Sequence, residues 1–300
     1  MADVAVARPR TPRSLTPQQR DARLGWALIL PAITIIGLLV IYPIIYNVYL
    51  SFFDVSLMGA NTFTGLENHI GVITDGEFWQ AVLTTVIYVV FSVVGTVALG
   101  LGVAIVMNKQ FPLRGLVRSI ILLPYVAPVI ATVFAWQFIF DPVRGIFVHL
   151  MVEVLGIVQD RFNLIGNPKT SIIVAVVYSI WKNFPFAYLM ILSRLQAIDA
   201  SLYEAAEIDG AGAWHRFIHI TLPELQFIIG SLVLLRVIWN FNKFEEVFLI
   251  TENVKVLSIY TYLTAFTGSL DLGRGATLAV IQFLILLVFI IYYVKKVLKW

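Results

Sequence analysis

The chain has 300 residues, of which 59% are hydrophobic and only 13% charged, and its mean hydropathy is +0.87. Soluble domains carry roughly a quarter charged residues, so this composition excludes a soluble globular protein and implies an integral membrane protein. The net charge of +3 gives no argument for nucleic acid, and the absence of cysteine excludes disulfides and thiol chemistry.

The chain opens with Arg8, Arg10, Arg13, Arg20 and Arg23 among Pro9, Pro12 and Pro17. Residues 1–23 read as a disordered, basic cytoplasmic tail. The apolar run that follows is too long for the core of a signal peptide and ends in no clear cleavage site, which predicts a retained first span. A helix rising about 1.5 Å per residue needs about twenty apolar residues to cross the bilayer core. Runs of that length predict six spans, at about 24–50, 78–108, 119–140, 171–193, 225–250 and 275–294. The expected fold is an all-α integral membrane protein with six transmembrane helices.

In the second span Gly95, Ala98, Gly100, Gly102 and Ala104 are small enough to let helices approach closely in lipid. Pro31, Pro43, Pro124, Pro128 and Pro185 fall inside spans, where each removes a backbone donor and bends the helix. Several bent helices suit a cavity or a gate better than an anchor. Orientation follows from the cations: with the amino terminus inside, 13 Lys and Arg lie on the inner side, six outside and two, Lys182 and Arg236, within spans. That asymmetry puts both termini in the cytoplasm.

Lys182 and Arg236 each stand about 11 residues into their spans, near the midplane, where a cation costs around 3 kcal/mol. Each is expected to face a polar cavity or a partner, and neither has an evident counter-ion in this chain. Trp181, Phe184, Phe186, Trp239 and Phe241 add rings beside Asn183 and Asn240, a combination that suits a sugar, which has apolar faces and a rim of hydroxyls.

Between the fourth and fifth spans, residues 194–224 are too polar for lipid and too patterned for a plain loop. Ser201, with Glu204 three residues on, has the form of a capping box. Ala205, Ala206, Gly210, Ala211, Gly212 and Ala213 leave one flank almost bare, Gly210 and Gly212 permit a turn, and Trp214, Phe217, Ile218 and Leu222 give a second amphipathic segment. Pro223 marks entry into the fifth span. This is a helix, a turn and a helix, which fits either an interfacial loop or a docking surface. His215 and His219 have the spacing of two metal ligands on a helix, but no third ligand accompanies them and no metal site is expected. The fragment Gly210-x-Gly212 is no phosphate loop, since no G-K-[ST] occurs in the chain.

The run Glu204-Ala205-Ala206, three residues, Gly210, nine residues, Ile220, one residue, Leu222-Pro223 resembles the EAA motif of ABC importer permeases. Asp209-Gly210-Ala211 is similar to the form in carbohydrate permeases. "FTGLENH", "FWQAVLTT", "RGLVRSIILLPYVAP" and "WNFNKFEEVFLIT" resemble the maltose-type sugar permeases at similar positions, so the likeness covers most of the chain. It implies a type I ABC importer permease in a bacterial or archaeal cytoplasmic membrane. Its coupling helix, carried by Glu204, Ala205, Ala206, Asp209, Gly210, Leu222 and Pro223, would dock on a separate ATPase. The implied assembly is a heterodimer with a second permease, two ATPase subunits that bind ATP and Mg, and a soluble or lipid-anchored binding protein. The chain itself would hold no cofactor and no metal, catalyse nothing and meet lipid but no nucleic acid.

The resemblance also implies sugar contacts from Lys182, Asn183 and Phe186 and from Arg236, Asn240 and Lys243, with Trp239 beside them. Cations at Lys182, Arg236 and Lys243 depart from the neutral groups of the family and suggest an anionic sugar: sulfonated, phosphorylated or acidic. The alternatives are a neutral mono- or oligosaccharide or another polyol, with Arg236 paired to an acid of the partner permease and Lys243 to Glu246 one turn on. Glu252 to Val256 replace a Gly-rich outer loop common in relatives. A self-sufficient secondary transporter or channel is the rival reading, and a membrane enzyme lacks any nucleophile, base or metal constellation.

Overall fold

A computed structural model describes residues 16–55, 61–267 and 270–297, the side chain of Gln19 excepted. The chain divides into two compact units, Met1–Tyr49 and Leu50–Trp300. Residues 1–15 of the expected tail lie outside the described residues. Its last part is helical and not disordered, because Pro17 occupies the first position of a helix, where its missing N–H costs nothing. Arg20 and Arg23 therefore belong to α1, which runs through Pro17–Ile36, a π segment Gly37–Ile41 and Tyr42–Leu50.

In the second unit a two-stranded antiparallel ribbon, β1 (Phe53–Asp54) with β2 (Thr62–Phe63), pairs Phe53 with Phe63. The short α2 (Glu67–Ile73) leads into α3 (Gly76–Asn108), the 33-residue helix expected as the second span. Asp75 caps α3 by accepting the Glu77 N–H at 2.9 Å.

The expected third span is broken. It is two helices, α4 (Arg114–Val126) and α5 (Val129–Ile139), bent by 95°. Pro128 disfavours helical geometry in the residue before it, and Ala127 is accordingly extended at φ −61° and ψ 141°. Pro124 sits within α4 and does not end it.

A short helix with a π turn, α6 (Ile146–His149), precedes α7 (Ser171–Leu195), the fourth span, which carries Pro185 without a break. Next come α8 (Ala200–Ile208) and α9 (Ala213–Phe241), the latter continuous through a π segment at Phe217–Thr221. The expected fifth span, 225–250, is too long at its outer end. Asn242, whose amide turns back to the Ile238 carbonyl at 2.9 Å, and Lys243 interrupt it. The remainder forms a separate α10 (Glu245–Ile250). Sequence reading missed α11 (Leu257–Phe266), too short to register as a span, whereas α12 (Leu272–Lys296) is the sixth.

The α3–α7 pair is the centre of the core, with α9 packed on both and α4 on α7. Gly100 makes this possible: a Cβ there would lie 2.7 Å from Ala187 Cβ and 2.9 Å from Tyr188 N. Gly95 lies against Ile180 in the same seam, and Ala104 is buried. Ala98 and Gly102 are exposed, so the small-residue run serves the seam only in part. Tyr88, Met107, Tyr178, Tyr188 and Ile191 are completely buried around it.

At the opposite end of α3 from the residue 194–224 segment, Asp75 accepts from Tyr260 Oη at 2.7 Å and pairs with Arg274, tying α3 to α11 and α12. The Tyr260 hydroxyl bond, ahead of the backbone bond and Arg274, holds the Asp75 carboxyl below the usual carboxylate range. These three residues line a cavity of about 700 Å³ together with Lys255, Glu77 and Asp271.

Candidate functional site

Two regions carry the predicted site residues. The first lies where α4, α7 and α9 meet. Arg236 is 2% exposed and its guanidinium donates twice to one residue, Nη1 to Asn183 Oδ1 at 2.9 Å and Nη2 to the Asn183 carbonyl at 2.7 Å. Asn183 is steadied in turn by its own amide on the Ser179 carbonyl at 2.8 Å. The Arg236 guanidinium also sits over two rings, 5.2 Å from the centroid of Phe186 and 5.4 Å from that of Trp239.

Phe186 and Trp239 meet edge to face at 5.6 Å, and Tyr125 stacks on Phe186 at 5.9 Å. Trp239 and Tyr125 are 44% and 42% exposed, so the three rings form an accessible shelf backed by the buried cation. Tyr125 was missed by sequence reading, and its place just before the 95° break in the third span is what brings it here. Trp181 belongs elsewhere, in a second ring cluster with Trp136 and Tyr178, while Phe184 and Phe241 are core residues.

Lys182 is 4% exposed and does not turn to an open cavity. Its Nζ donates to the carbonyl of Ala127, one of the acceptors left without a helical partner by the break after α4. Lys243 pairs with Glu246 at 2.9 Å, as the alternative reading expected. Glu246, named from the sequence only as a partner for Lys243, also lies near enough for its charge to act on Lys182 and Arg236. Asn240 is 2% exposed, and neither Nδ2 nor Oδ1 has a hydrogen-bond partner. An amide so placed costs about 1–3 kcal/mol unless something supplies its bonds.

The second region is the segment from α8 into α9. The capping box centred on Ser201 is not formed. Asp199 is the cap, accepting the Ser201 N–H at 2.9 Å, because the helix starts at Ala200, two residues before the start that a Ser201 cap would set. That backbone bond holds the Asp199 carboxyl below the usual carboxylate range. Glu204, Ala205 and Asp209 lie exposed on or just past α8, with Ala206 half-buried.

Gly210 ends α8 at φ +77°, with its N–H on the Glu207 carbonyl at 3.0 Å and the Ala211 N–H on the Ala206 carbonyl at 2.9 Å, a Schellman closure. Gly212 is extended and turns nothing, contrary to expectation. Leu222 and Pro223 fall in the first turn after the π segment of α9 and are exposed. The fold of the segment is held by Tyr203 Oη to Thr221 Oγ1 at 2.9 Å, Arg216 to Glu207 at 3.1 Å and Arg194 to Glu224 at 2.6 Å.

Ile208 and Trp214 are 87% and 72% exposed, and a cavity of about 510 Å³ in the same segment is lined by Asp209, Gly210, His215 and His219. The two imidazoles stack at 3.9 Å, and the His219 Nδ1 lies 3.0 Å from the His215 carbonyl. Among the described residues no three His, Cys, Asp or Glu stand together as metal ligands.

Among the described residues five helices, or six if the broken pair counts as one span, are long and apolar enough to cross a membrane, and the second unit carries a self-capped helical surface and a ring-lined polar cluster, the features of a transport subunit. The chain matches the family described as binding-protein-dependent transport system inner membrane component over residues 96–299 and belongs to it. It is similar to the inner membrane ABC transporter permease protein YcjO of Escherichia coli, with 39% identity over 92% of this chain and 95% of the relative. The trehalose/maltose transport system permease protein MalF of Thermococcus litoralis is 32% identical over 92% of this chain and 94% of its own. The sulfoquinovosyl glycerol transport system permease protein SmoG of Agrobacterium fabrum is 33% identical over 88% and 86%.

Among solved structures, a chain of a bacterial alginate ABC transporter in complex with alginate pentasaccharide-bound periplasmic protein superposes with a TM-score of 0.81. The match has 20% identity and covers 92% of this chain and 95% of that one, and it establishes the type I permease fold. The protein is thus a maltose-type sugar permease subunit of an ABC importer, multi-pass in the cytoplasmic membrane.

Proposed function

We propose that the cargo is a carbohydrate bearing an acidic group, which crosses against the Tyr125–Phe186–Trp239 shelf and completes the bonds of Asn240. The observation that carries this reading is the charge of the cluster behind the shelf. Lys182 and Arg236, both buried, and the partly exposed Lys243 share one nearby acid, Glu246, leaving two positive charges in excess. An anionic cargo supplies the missing charge, and the rings supply stacking for its apolar face. One relative is named for sulfoquinovosyl glycerol and one solved structure for the acidic polysaccharide alginate, while others are named for trehalose and maltose. A neutral sugar is the second reading, favoured by the internal partner that each of the three cations has.

In this reading the exposed face of residues 200–223, with Glu204, Ala205, Ala206, Asp209, Gly210, Leu222 and Pro223, docks on a separate ATPase that binds ATP and Mg. A second permease completes the pathway, and a binding protein delivers the cargo from outside. Residues 1–23 and the 194–224 segment then lie on the cytoplasmic side. The test of the cargo is uptake by cells carrying Lys182→Met or Arg236→Met. Acidic-sugar uptake is expected to fall at least about tenfold, a change of about 1.4 kcal/mol, with neutral-sugar uptake unmoved. Equal losses for both cargoes would leave the neutral reading.

A further inference from the structure

Lys243 and Glu246 straddle the interruption between α9 and α10. Lys243 lies in the break itself, and Glu246 lies in the first turn of α10, where an acid is favoured. The Glu246 side chain is 3% exposed and that of Lys243 is 25% exposed, so the acid is buried and the amine reaches the surface of the cluster. One carboxylate oxygen, Oε1, takes the Lys243 ammonium at 2.9 Å, and the other, Oε2, is buried without a hydrogen-bond partner. The same acid interacts with Lys182 and Arg236. A buried carboxylate with half its acceptors unused is costly unless its charge is needed, since taking it out of water costs several kcal/mol. Apolar packing at this position would avoid that cost. What the acid does at this place is hold the most accessible of the three cations.

We propose that Glu246 is a specificity-determining residue: it engages Lys243 in an internal ion pair, so that an anionic group on the cargo has to compete with Glu246 for that amine. The pair thereby discriminates against anions that reach the cluster without the stacking contacts a sugar makes on the rings. This rests on the acidic-cargo reading for its consequence, though not for the pairing itself.

The two are separated by labelling Lys243 in the intact membrane complex with an aqueous amine-reactive reagent, read by mass spectrometry against the exposed Lys255 as reference. Lys243 of the unaltered protein is expected to be protected, to label about tenfold faster in Glu246→Gln, the equivalent of about 1.4 kcal/mol, and to stay protected in Glu246→Asp. Equal labelling of the unaltered protein and Glu246→Gln, with Lys255 unchanged in both, would overturn the assignment whatever the cargo. Glucuronate, compared with glucose at matched ionic strength, then provides the second arm. Protection of Lys243 by glucuronate alone in Glu246→Gln, and much less in the unaltered protein, supports the competition. Protection by both sugars, or by neither, refutes the competition while leaving the ion pair standing. If Glu246→Gln fails to assemble, Glu246→Asp decides: it lengthens the reach to Lys243 without removing the charge, and full exposure of Lys243 in it would contradict a role based on charge.

Discussion

The cluster between α7 and α9 and the segment from α8 into α9 are both rich in polar groups, yet they are built in opposite ways. In the cluster, Arg236, Asn183, Lys182 and Glu246 are almost wholly buried and depend on one another across three or more elements. In the segment, Asp199, Gly210 and the Tyr203–Thr221 bond close the structure locally, and the outer face is left to solvent. In the first region each member's bonds run to a different element. The second is closed by its own caps and bonds, an arrangement that suits the docking role proposed for it.

The largest effect that would break this contrast is at the seam beneath the cluster. Gly100→Val places a side chain into Ala187 and the Tyr188 backbone, which cannot give way as a flexible side chain can. Overpacking of this kind costs about 1–3 kcal/mol or more, and loss of folded protein is expected in a detergent thermal-stability assay together with loss of uptake. Next comes the double variant Glu204→Arg with Gly210→Trp. Gly210 has a positive φ that costs other residues about 1–2 kcal/mol, so α8 frays at its end while the bundle stays folded. Affinity purification should then recover the chain without its ATPase. An ATPase that remained bound would remove the docking proposal.

A smaller effect is expected at Asp75. Its carboxyl is held low by the Tyr260 hydroxyl, so the bond contributes above the ordinary carboxylate range and is lost as pH falls through the depressed value. Hydrogen exchange in α11 should therefore quicken on acidification, and Asp75→Asn should flatten that response. The smallest change is Asp199→Ala, which removes an exposed cap. Faster exchange of the first-turn amides of α8, with normal assembly, is the expected result, and the same loss should follow on lowering pH below the usual carboxylate range. Disruption of the whole bundle by Asp199→Ala would erase the distinction between the two regions.

The spans were legible because bilayer thickness imposes a length on any apolar helix, and four of the six interior predictions survive with shifts of a few residues at their ends. The third and fifth failed for local reasons that composition hides. Pro124 and Pro128 look alike in the sequence, yet only Pro128, acting through Ala127, breaks the helix. Asn242 and Lys243 stop α9 although apolar residues resume beyond them.

At the site, Arg236, Asn183, Phe186 and Trp239 were all legible as polar or aromatic exceptions in apolar spans. Tyr125 was not, since its membership depends on the 95° bend. Lys182 was read for its charge, whereas it bonds an acceptor that exists only because the neighbouring helix is broken. The cap was misassigned to Ser201 because Asp199 precedes it by two residues, and a helix start two residues earlier decides between them.

The uninterrupted helix from Ala213 to Phe241 gives the two regions a common mechanical part. Its 29 residues span about 43 Å at 1.5 Å each, with Trp214 at one end and Trp239 at the other. Under the docking proposal a rod of that kind would pass a push at its foot to its head without needing a chain of intermediate side-chain adjustments. The π turn at Phe217–Thr221 sits near the foot, where a local give would soften the stroke and leave the upper part stiff.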